Sequence, residues 1–386
     1  LAETGYDEVS LTSLSSTDHS QIASILTRIN RACDGKGVRI SVPSQRLDSF
    51  GADMAELVAG QKKGGLTFAP EAGTQRLRNV INKNVTEDDL FGALDAAFKA
   101  GWRRCKLHFL TGLPTETDDD IKGIASLAQR AYDRMKAATP PEQRGSLRMS
   151  VSCALFVPKA QTPFQWDGQI PPEEALRRVQ LLRNSVKYRA VDVHWHDPAT
   201  SFVEAVMSRA GREAAAWVEA AWRRGARFDA WTECFAEAAW REAADKVGID
   251  PAAIAQTAYP TTRVMPWEHI STGVSTRWLA RERRLADEGR TTPDCTFENC
   301  SACGDARGGQ RAGPAPRGVR LERGRALVPS WTKRRIRAPS PSRAKRRSRR
   351  LLRHPGRAKR DEGSRAARRR RKGGDPCLIR TCSVCA

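Results

Sequence analysis

The sequence predicts an α/β protein built on parallel βα units, continued by a mainly helical region and closed by a basic tail that cannot form a core. Three observations carry this reading. Over the first 165 residues short apolar runs alternate with amphipathic stretches at intervals of roughly 30 to 40 residues, the rhythm of strands joined by crossover helices. From Pro171 the pattern changes to longer helical periods. Beyond Gly304 it gives way to Arg, Pro, Gly, Ala and Ser with hardly any aromatic or periodic content, a composition that leaves nothing to bury. The expected organisation is a barrel or open sheet over 1–165, a helical domain with a cysteine-rich end over 166–304, and a disordered Arg-rich tail over 305–386.

Each element has its own local reason. Residues 6–14 (YDEVSLTSL) alternate as a strand. Ser15, Ser16, Thr17 and Asp18 follow with hydroxyls and a cap for a helix over 21–32. VRISV at 38–42 is a second strand, ending in Pro43-Ser44-Gln45-Arg46 before a short helix around 52–59. Residues 66–68 lead into Ala69-Pro70-Glu71-Ala72-Gly73-Thr74 and a helix from Gln75. Thr86-Glu87-Asp88-Asp89 is a capping sequence for a helix over 86–100 that Gly101 stops.

Residues 105–111 form the next strand, and Thr-Gly-Leu-Pro then breaks the chain before an acidic segment opens a long amphipathic helix over 121–138. Gly112 permits close backbone approach, Pro114 stiffens the turn, and Glu116 stands at the helix entrance, where the dipole favours a carboxylate. MSVSCALFV at 149–157 is a fifth strand, followed by Pro158-Lys159. In folds of this kind the chemistry lies on the loops after the strands. Those loops here carry Ser15 and Ser16, Ser44 and Arg46, Glu71 and Gly73, Gly112 and Glu116, and Lys159. Each of these residues also serves as an ordinary cap or turn residue, so their weight comes from five such loops converging on one face.

Composition removes several classes of function. The chain has 386 residues, 40% of them hydrophobic, and a formal charge of +22. Residues 305–386 carry 27 Lys and Arg against 5 Asp and Glu, whereas the remaining residues hold 39 of each. All the excess lies in the tail, so the high isoelectric point says nothing about nucleic acid binding by the body. The sequence contains no apolar run of ~20 residues that would span a membrane and no secretory leader pattern. Ten cysteines, several at short spacing, fit reduced thiols or metal ligands better than a secreted disulfide framework, and a cytoplasmic location follows.

Read in order, SLTSLSSTD, SVPSQRLDSF, LTFAPEAGTQRLRNVINKNVT, GWRRCKLHFLTGLPTETDDDI, VPKAQTPFQWDGQI, HWHDPATS, PWEHISTGVS and TTPDCTFENCSACG resemble the radical SAM proteins that carry an N-terminal cobalamin-binding-type domain. The resemblance runs from residue 1 to about 304. It implies a partial (β/α) TIM-type barrel in which a [4Fe-4S] cluster held by a C-x3-C-x2-C loop reduces S-adenosylmethionine to methionine and a 5'-deoxyadenosyl radical. Carried over by motif, Ser15 and Ser16 contact the amino acid end of S-adenosylmethionine and Arg46 its carboxylate. Glu71 meets the ammonium or ribose, and Gly112 and Glu116 flank the adenine. The resemblance further implies an electron donor such as flavodoxin or ferredoxin. The reaction expected is methyl transfer if cobalamin is used; otherwise it is hydrogen abstraction or sulfur insertion, with RNA one candidate substrate.

The C-x3-C-x2-C loop does not occur in these residues, and Leu1-Ala-Glu-Thr-Gly5 reads as the capped end of a helix. The expectation is a fragment that lacks the N-terminal domain and the cluster loop, and that by itself generates no radical. Catalytic residues are therefore not assigned.

Further along, Trp217, Trp222, Trp231 and Trp240 fall in the helical part, where core or interface roles are usual. His194 and His196 share a face of VDVHWH but have no third ligand nearby in sequence, which favours a strand end over a metal site. Cys295, Cys300 and Cys303 form C-x4-C-x2-C, a spacing that serves zinc or an auxiliary iron–sulfur cluster. Asp305 stands where the family suggests a further cysteine, with His269 or Cys234 as substitutes. Cys377, Cys382 and Cys385 repeat the spacing in the tail without structure to support it. The tail itself reads as a GC-rich gene translated out of frame, because the break falls in mid-motif. The competing class is a non-enzymatic, metal-stabilised RNA-binding or adaptor protein that uses the tail's charge.

Overall fold

A computed structural model describes residues 4–11, 19–42, 47, 52–58, 66–295 and 300–304, all within one compact unit. The expected alternation of strand and helix is present. A first pair, β1 (Glu8–Ser10) and β2 (Arg39–Ser41), runs parallel with Val9 opposite Ile40, and α1 (Ile22–Cys33) connects the two. The short helix α2 (Ala52–Val58) follows. The main sheet holds β3 (Leu66–Glu71), β4 (Arg104–Thr111), β5 (Arg148–Leu155) and β6 (Val191–Trp195), all parallel and in that spatial order.

The main sheet has one dry face. Leu66 and Phe68 of β3, Cys105, Leu107 and Phe109 of β4, and Met149, Val151 and Cys153 of β5 are buried together, since alternate residues of a strand share a face. Against them pack Leu90, Leu94 and Phe98 of α4 (Glu87–Lys99) and Ile121, Ile124 and Leu127 of α5 (Asp118–Ala137). Both helices start as their sequences require. Thr86 Oγ1 accepts from Asp89 N at 3.1 Å and Asp89 Oδ2 accepts from Thr86 N at 2.8 Å, a reciprocal cap. At α5 the backbone N of Thr117 donates to Asp120 Oδ2 at 2.8 Å. Gly101 ends the α4 turn at φ +94°, a conformation that glycine adopts without steric cost.

Some elements depart from their expected bounds. Strand β3 runs to Glu71 rather than stopping at Phe68, and α7 (Pro198–Arg209) starts where Asp197 accepts from Ala199 N at 2.8 Å and Pro198 fits the first turn. Strand β6 lies beyond position 165 and continues the same sheet, with Ser152 opposite His194. The stretch 6–14 shows strand at Glu8–Ser10, and residues 12–18 fall outside the described set.

Helix α6 (Pro172–Ser185) joins the core of the sheet through Leu182, while α7 and the later helices α8 (Glu213–Arg223), α9 (Glu237–Val247), α10 (Pro251–Gln256) and α11 (Thr276–Asp287) build two further cores. Trp217 and Trp240 meet edge to face at 4.7 Å inside the first, and Trp217 Nε1 donates to Trp240 O at 2.9 Å, while Trp222 and Trp231 are exposed. Among the described residues no helix is long and apolar enough to cross a membrane.

Candidate functional site

The C-terminal ends of β3, β4 and β5 are cemented into one surface. Ala72, Leu113 and Phe156, which follow the three strands, pack with Leu77 and Val80 of α3 (Gln75–Val80) and with Ala286 of α11. Helix α11 thus comes back across more than a hundred residues of sequence to hold the strand ends. Arg283 secures it with two 2.8 Å bonds to the Asp167 carboxylate, its guanidinium 5.5 Å from the Phe164 ring centre.

Glu71 sits where β3 breaks register. Phe68 faces Leu107 and Glu71 faces Phe109, so β3 uses one residue more than β4 over that span, a bulge. The extra residue leaves Glu71 at φ +65°, a left-handed conformation uncommon for a residue with a Cβ. Burial pushes its carboxyl up, and Lys83 Nζ at 3.3 Å pulls the other way.

The next loop residues, Gly73 and Thr74, lie directly on α5. Thr74 Oγ1 and the Arg76 guanidinium both donate to the buried Asp120 carboxylate, and Arg76 also reaches Thr115 O at 2.9 Å. Burial would raise the Asp120 carboxyl, but the hydrogen bonds from Thr74, Thr117 and Arg76 hold it below the ordinary carboxylate value. Asp120 therefore ties the loop after β3 to the loop after β4.

Gly112 and Glu116 form the second loop. Gly112 is at φ +83°, and a Cβ there would lie 3.0 Å from the Ile170 side chain. The Glu116 side chain is wholly buried and folds back on its own loop, Oε2 accepting from Gly112 N at 2.6 Å, Thr111 Oγ1 at 3.2 Å and Arg178 Nη1 of α6 at 2.6 Å. Burial pushes this carboxyl up against those three donors. Its other oxygen, Oε1, is buried without a hydrogen-bond partner among the described residues.

The second face of the sheet is polar. Register places Thr67, Lys106, Ser150 and Asp192 in one row across four strands, and His108, Ser152 and His194 in the next. The sequence reading passed over this surface, although the alternation in CKLHFL and MSVSC signals it. His194 stands at its exposed end; His196 lies just past β6, its backbone N donating to Cys153 O at 3.1 Å.

Ser15, Ser16, Ser44 and Arg46 lie outside the described residues. Lys159 turns to α7 and bonds Glu204 Oε1 at 2.5 Å. Cys295 and Cys300 are exposed and Cys303 half-buried, and among the described residues no three His, Cys, Asp or Glu side chains lie close enough together to hold a metal. His194 with His196 gains no third ligand there either. Cys105 and Cys153 sit in the dry core of the sheet, where burial pushes both thiols up to about 12.

Residues 1–128 match the sequence model of the Radical SAM superfamily. The matched span contains β1 to β4 and both loops just described, and the parallel sheet with its many helices agrees with a partial barrel of that type. Over 176 residues the chain is 28% identical to an uncharacterized protein of Methanocaldococcus jannaschii, an alignment covering 46% of this chain and 36% of that protein. The chain thus spans about a third of the length of the curated relative it matches.

Proposed function

We propose that residues 1–165 form the S-adenosylmethionine-binding part of a radical SAM oxidoreductase or transferase, with the polar sheet face as the surface toward its substrate. The observation that supports this reading is the pair of interlocked loops at Glu71–Thr74 and 112–116. One ends a strand in a bulge with a carboxylate. The other offers a glycine backbone beside a buried carboxylate with one oxygen unpartnered, and both lie inside the span that matches the superfamily. Buried polar atoms without partners are uncommon in folded proteins and ask for an explanation. A ligand carrying ammonium, ribose hydroxyls and adenine offers donors to such a site.

Within this reading Glu71 is a contact residue, placed by the bulge at the strand end. Glu116 is chiefly a positioning residue, because its bonded oxygen fixes Gly112 and so the shape of the loop. Asp120 and Gly73 hold the two loops at a fixed separation. Lys106, His108 and His194 give the polar sheet face hydrogen-bonding capacity, which suits a polar substrate.

Bound S-adenosylmethionine supplies radical chemistry in this superfamily only beside a reduced [4Fe-4S] cluster, and the residues present do not fit that cluster. The sequence has no C-x3-C-x2-C, the two core cysteines are locked in the sheet, and the described residues bring no three ligands together. We derive no radical step for this chain.

Calorimetric titration of the full chain with S-adenosylmethionine tests the proposal. Saturable binding is expected, weakened at least tenfold in Glu71→Gln and in Gly112→Ala, with folding checked by circular dichroism. A folded chain that fails to bind, or variants that bind as the parent does, would remove the reading.

A further inference from the structure

Where α8 ends, the core that α8 shares with α9 opens to solvent on an aromatic cavity of about 310 Å³. Val218 and Trp222 of α8, Arg227, Phe228 and Asp229 of the turn that follows, and Trp240 of α9 line it. Val218 and Trp222 are four apart, so they share one helix face. Trp222 is 54% exposed and Phe228 75%. The turn buries its small residue, Ala226, in the core and sends its phenyl ring outward. Phe228 stands at φ +59°, a left-handed conformation that a bulky side chain rarely adopts. Backbone strain of this kind collects at functional sites.

The turn is held rigidly. Trp231 N donates to Phe228 O at 2.9 Å, and Asp229 Oδ1 accepts from both Ala236 N and Trp240 Nε1 at 3.2 Å. Both bonds fall on one carboxylate oxygen, so the second keeps its acceptor capacity. The charge beside the cavity is of one sign: residues 222–228, WRRGARF, hold three arginines and no acid. Arg223 and Arg224 are offset by Glu219 at 2.6 Å and Glu242 at 3.4 Å. Arg227 meets no carboxylate among the described residues. Its guanidinium lies 5.1 Å from the Trp222 ring centre, and Nη1 donates to Trp222 O at 3.0 Å. A cationic ligand is disfavoured by that guanidinium, whereas a planar ring with a phosphate beside it is favoured.

From these observations we infer that the cavity takes an unpaired base of a single-stranded nucleic acid. The base stacks against Trp222 and Phe228, Arg227 and Arg223 face its phosphates, and the second Asp229 oxygen accepts from an exocyclic amino group. Exposed aromatic rings beside arginines are how proteins hold single strands, because every base offers a stacking face. A carboxylate at the rim adds a preference, since it accepts from the amino group of cytosine and is repelled by the carbonyl that uracil presents at the same position. Such a site differs from attraction to the charge of residues 305–386, because salt weakens stacking far less than it weakens phosphate neutralisation. The inference stands apart from S-adenosylmethionine binding, because it uses none of the strand-end residues.

Ultraviolet crosslinking of the full chain to short oligo(C) and oligo(U), each in RNA and DNA form, followed by peptide mapping, provides the first test. Crosslinks are expected in the peptides that carry Trp222 and Phe228, whatever residues 305–386 also capture. Fluorescence anisotropy with the same oligomers, in salt high enough to suppress binding by charge alone, provides the second. Trp222→Ala and Phe228→Ala should each weaken binding by about fivefold or more. Both side chains are largely exposed, and circular dichroism confirms that lost binding is not lost folding. The parent should prefer oligo(C) to oligo(U), two pyrimidines that stack alike, and Asp229→Asn should erase that preference. Equal affinity of the parent for the two would overturn the role given to Asp229. Crosslinks confined to residues 305–386, or aromatic variants that bind every oligomer as the parent does, would overturn the inference as a whole and leave this aromatic face to a protein partner.

Discussion

Gly73 and Gly123 face each other where the loop after β3 meets α5, and neither position has room for a side chain. A Cβ on Gly73 would stand 2.3 Å from Ile124 N and 2.4 Å from Asp120 O; one on Gly123 would stand 2.8 Å from Thr74 Cγ2. The loop and the helix are thus in backbone contact, and their spacing is set by two missing methyl groups.

Gly73→Ala is expected to destabilise the fold by about 3 kcal/mol, at the upper end for overpacking, since backbone rather than a flexible side chain must move. Urea denaturation reads the loss. The same variant should weaken S-adenosylmethionine binding more than its stability change explains, because the two loops would be pushed apart.

Asp120→Asn removes the charge that Arg76 meets and that Thr74 and Thr117 donate to. With Arg76 about half exposed, the ion pair itself is screened, and the expected cost is about 2 kcal/mol, mostly from the hydrogen bonds. Because the folded-state carboxyl lies below its ordinary value of 3.8, its contribution is complete above that pH and is lost as pH falls through the folded-state value. Stability curves of the parent and the variant should therefore converge in acid and separate above pH 4. Parallel curves down to pH 2 would show that Asp120 contributes no charge-dependent stability.

Arg283→Ala leaves the Asp167 carboxylate mostly buried without its bidentate partner. A loss of about 3 kcal/mol is expected, the size for breaking one side of a buried pair. Limited proteolysis should then cut near α11 first, since that helix loses its tie to the loop after β5.

Trp217→Ala removes an indole that is about 1% exposed and bonded to the Trp240 carbonyl. The expected cost is about 4 kcal/mol. Because this core lies apart from the sheet, S-adenosylmethionine affinity in the surviving folded protein should not change, which separates global stability from the binding loops.

What could be read from the sequence was what neighbours in sequence determine. The alternation in CKLHFL, the cap at Thr86 and the glycine stop at Gly101 all depend on residues within a few positions of one another, and all appear as expected. The glycine turn at Gly112 was equally legible, whereas the bulge that carries β3 on to Glu71 was not. The partners of those residues were not. Arg178 reaches Glu116 from 62 positions away, and Arg283 reaches Asp167 from 116. Such contacts obey no local period, so only the folded chain reveals them. VDVHWH was legible as a strand, but not as the fourth strand of the main sheet, because it lies among helices beyond position 165 and its exposed Asp192 and His194 give it the look of a surface segment, although Val191 is buried in the sheet. The lone glycines at 73 and 123 read as ordinary loop and helix residues until their contact is seen.

The inert thiols of Cys105 and Cys153 provide a built-in gauge of how often the sheet comes apart. A maleimide or iodoacetamide cannot reach either sulfur while β4 and β5 stay packed against their helices, so modification at these two positions proceeds only through molecules that have opened. Read by mass spectrometry against the exposed cysteines, the labelling rate reports the population of opened barrels under native conditions. The protein thus carries its own probe of sheet opening, usable without denaturant, dye or engineered label.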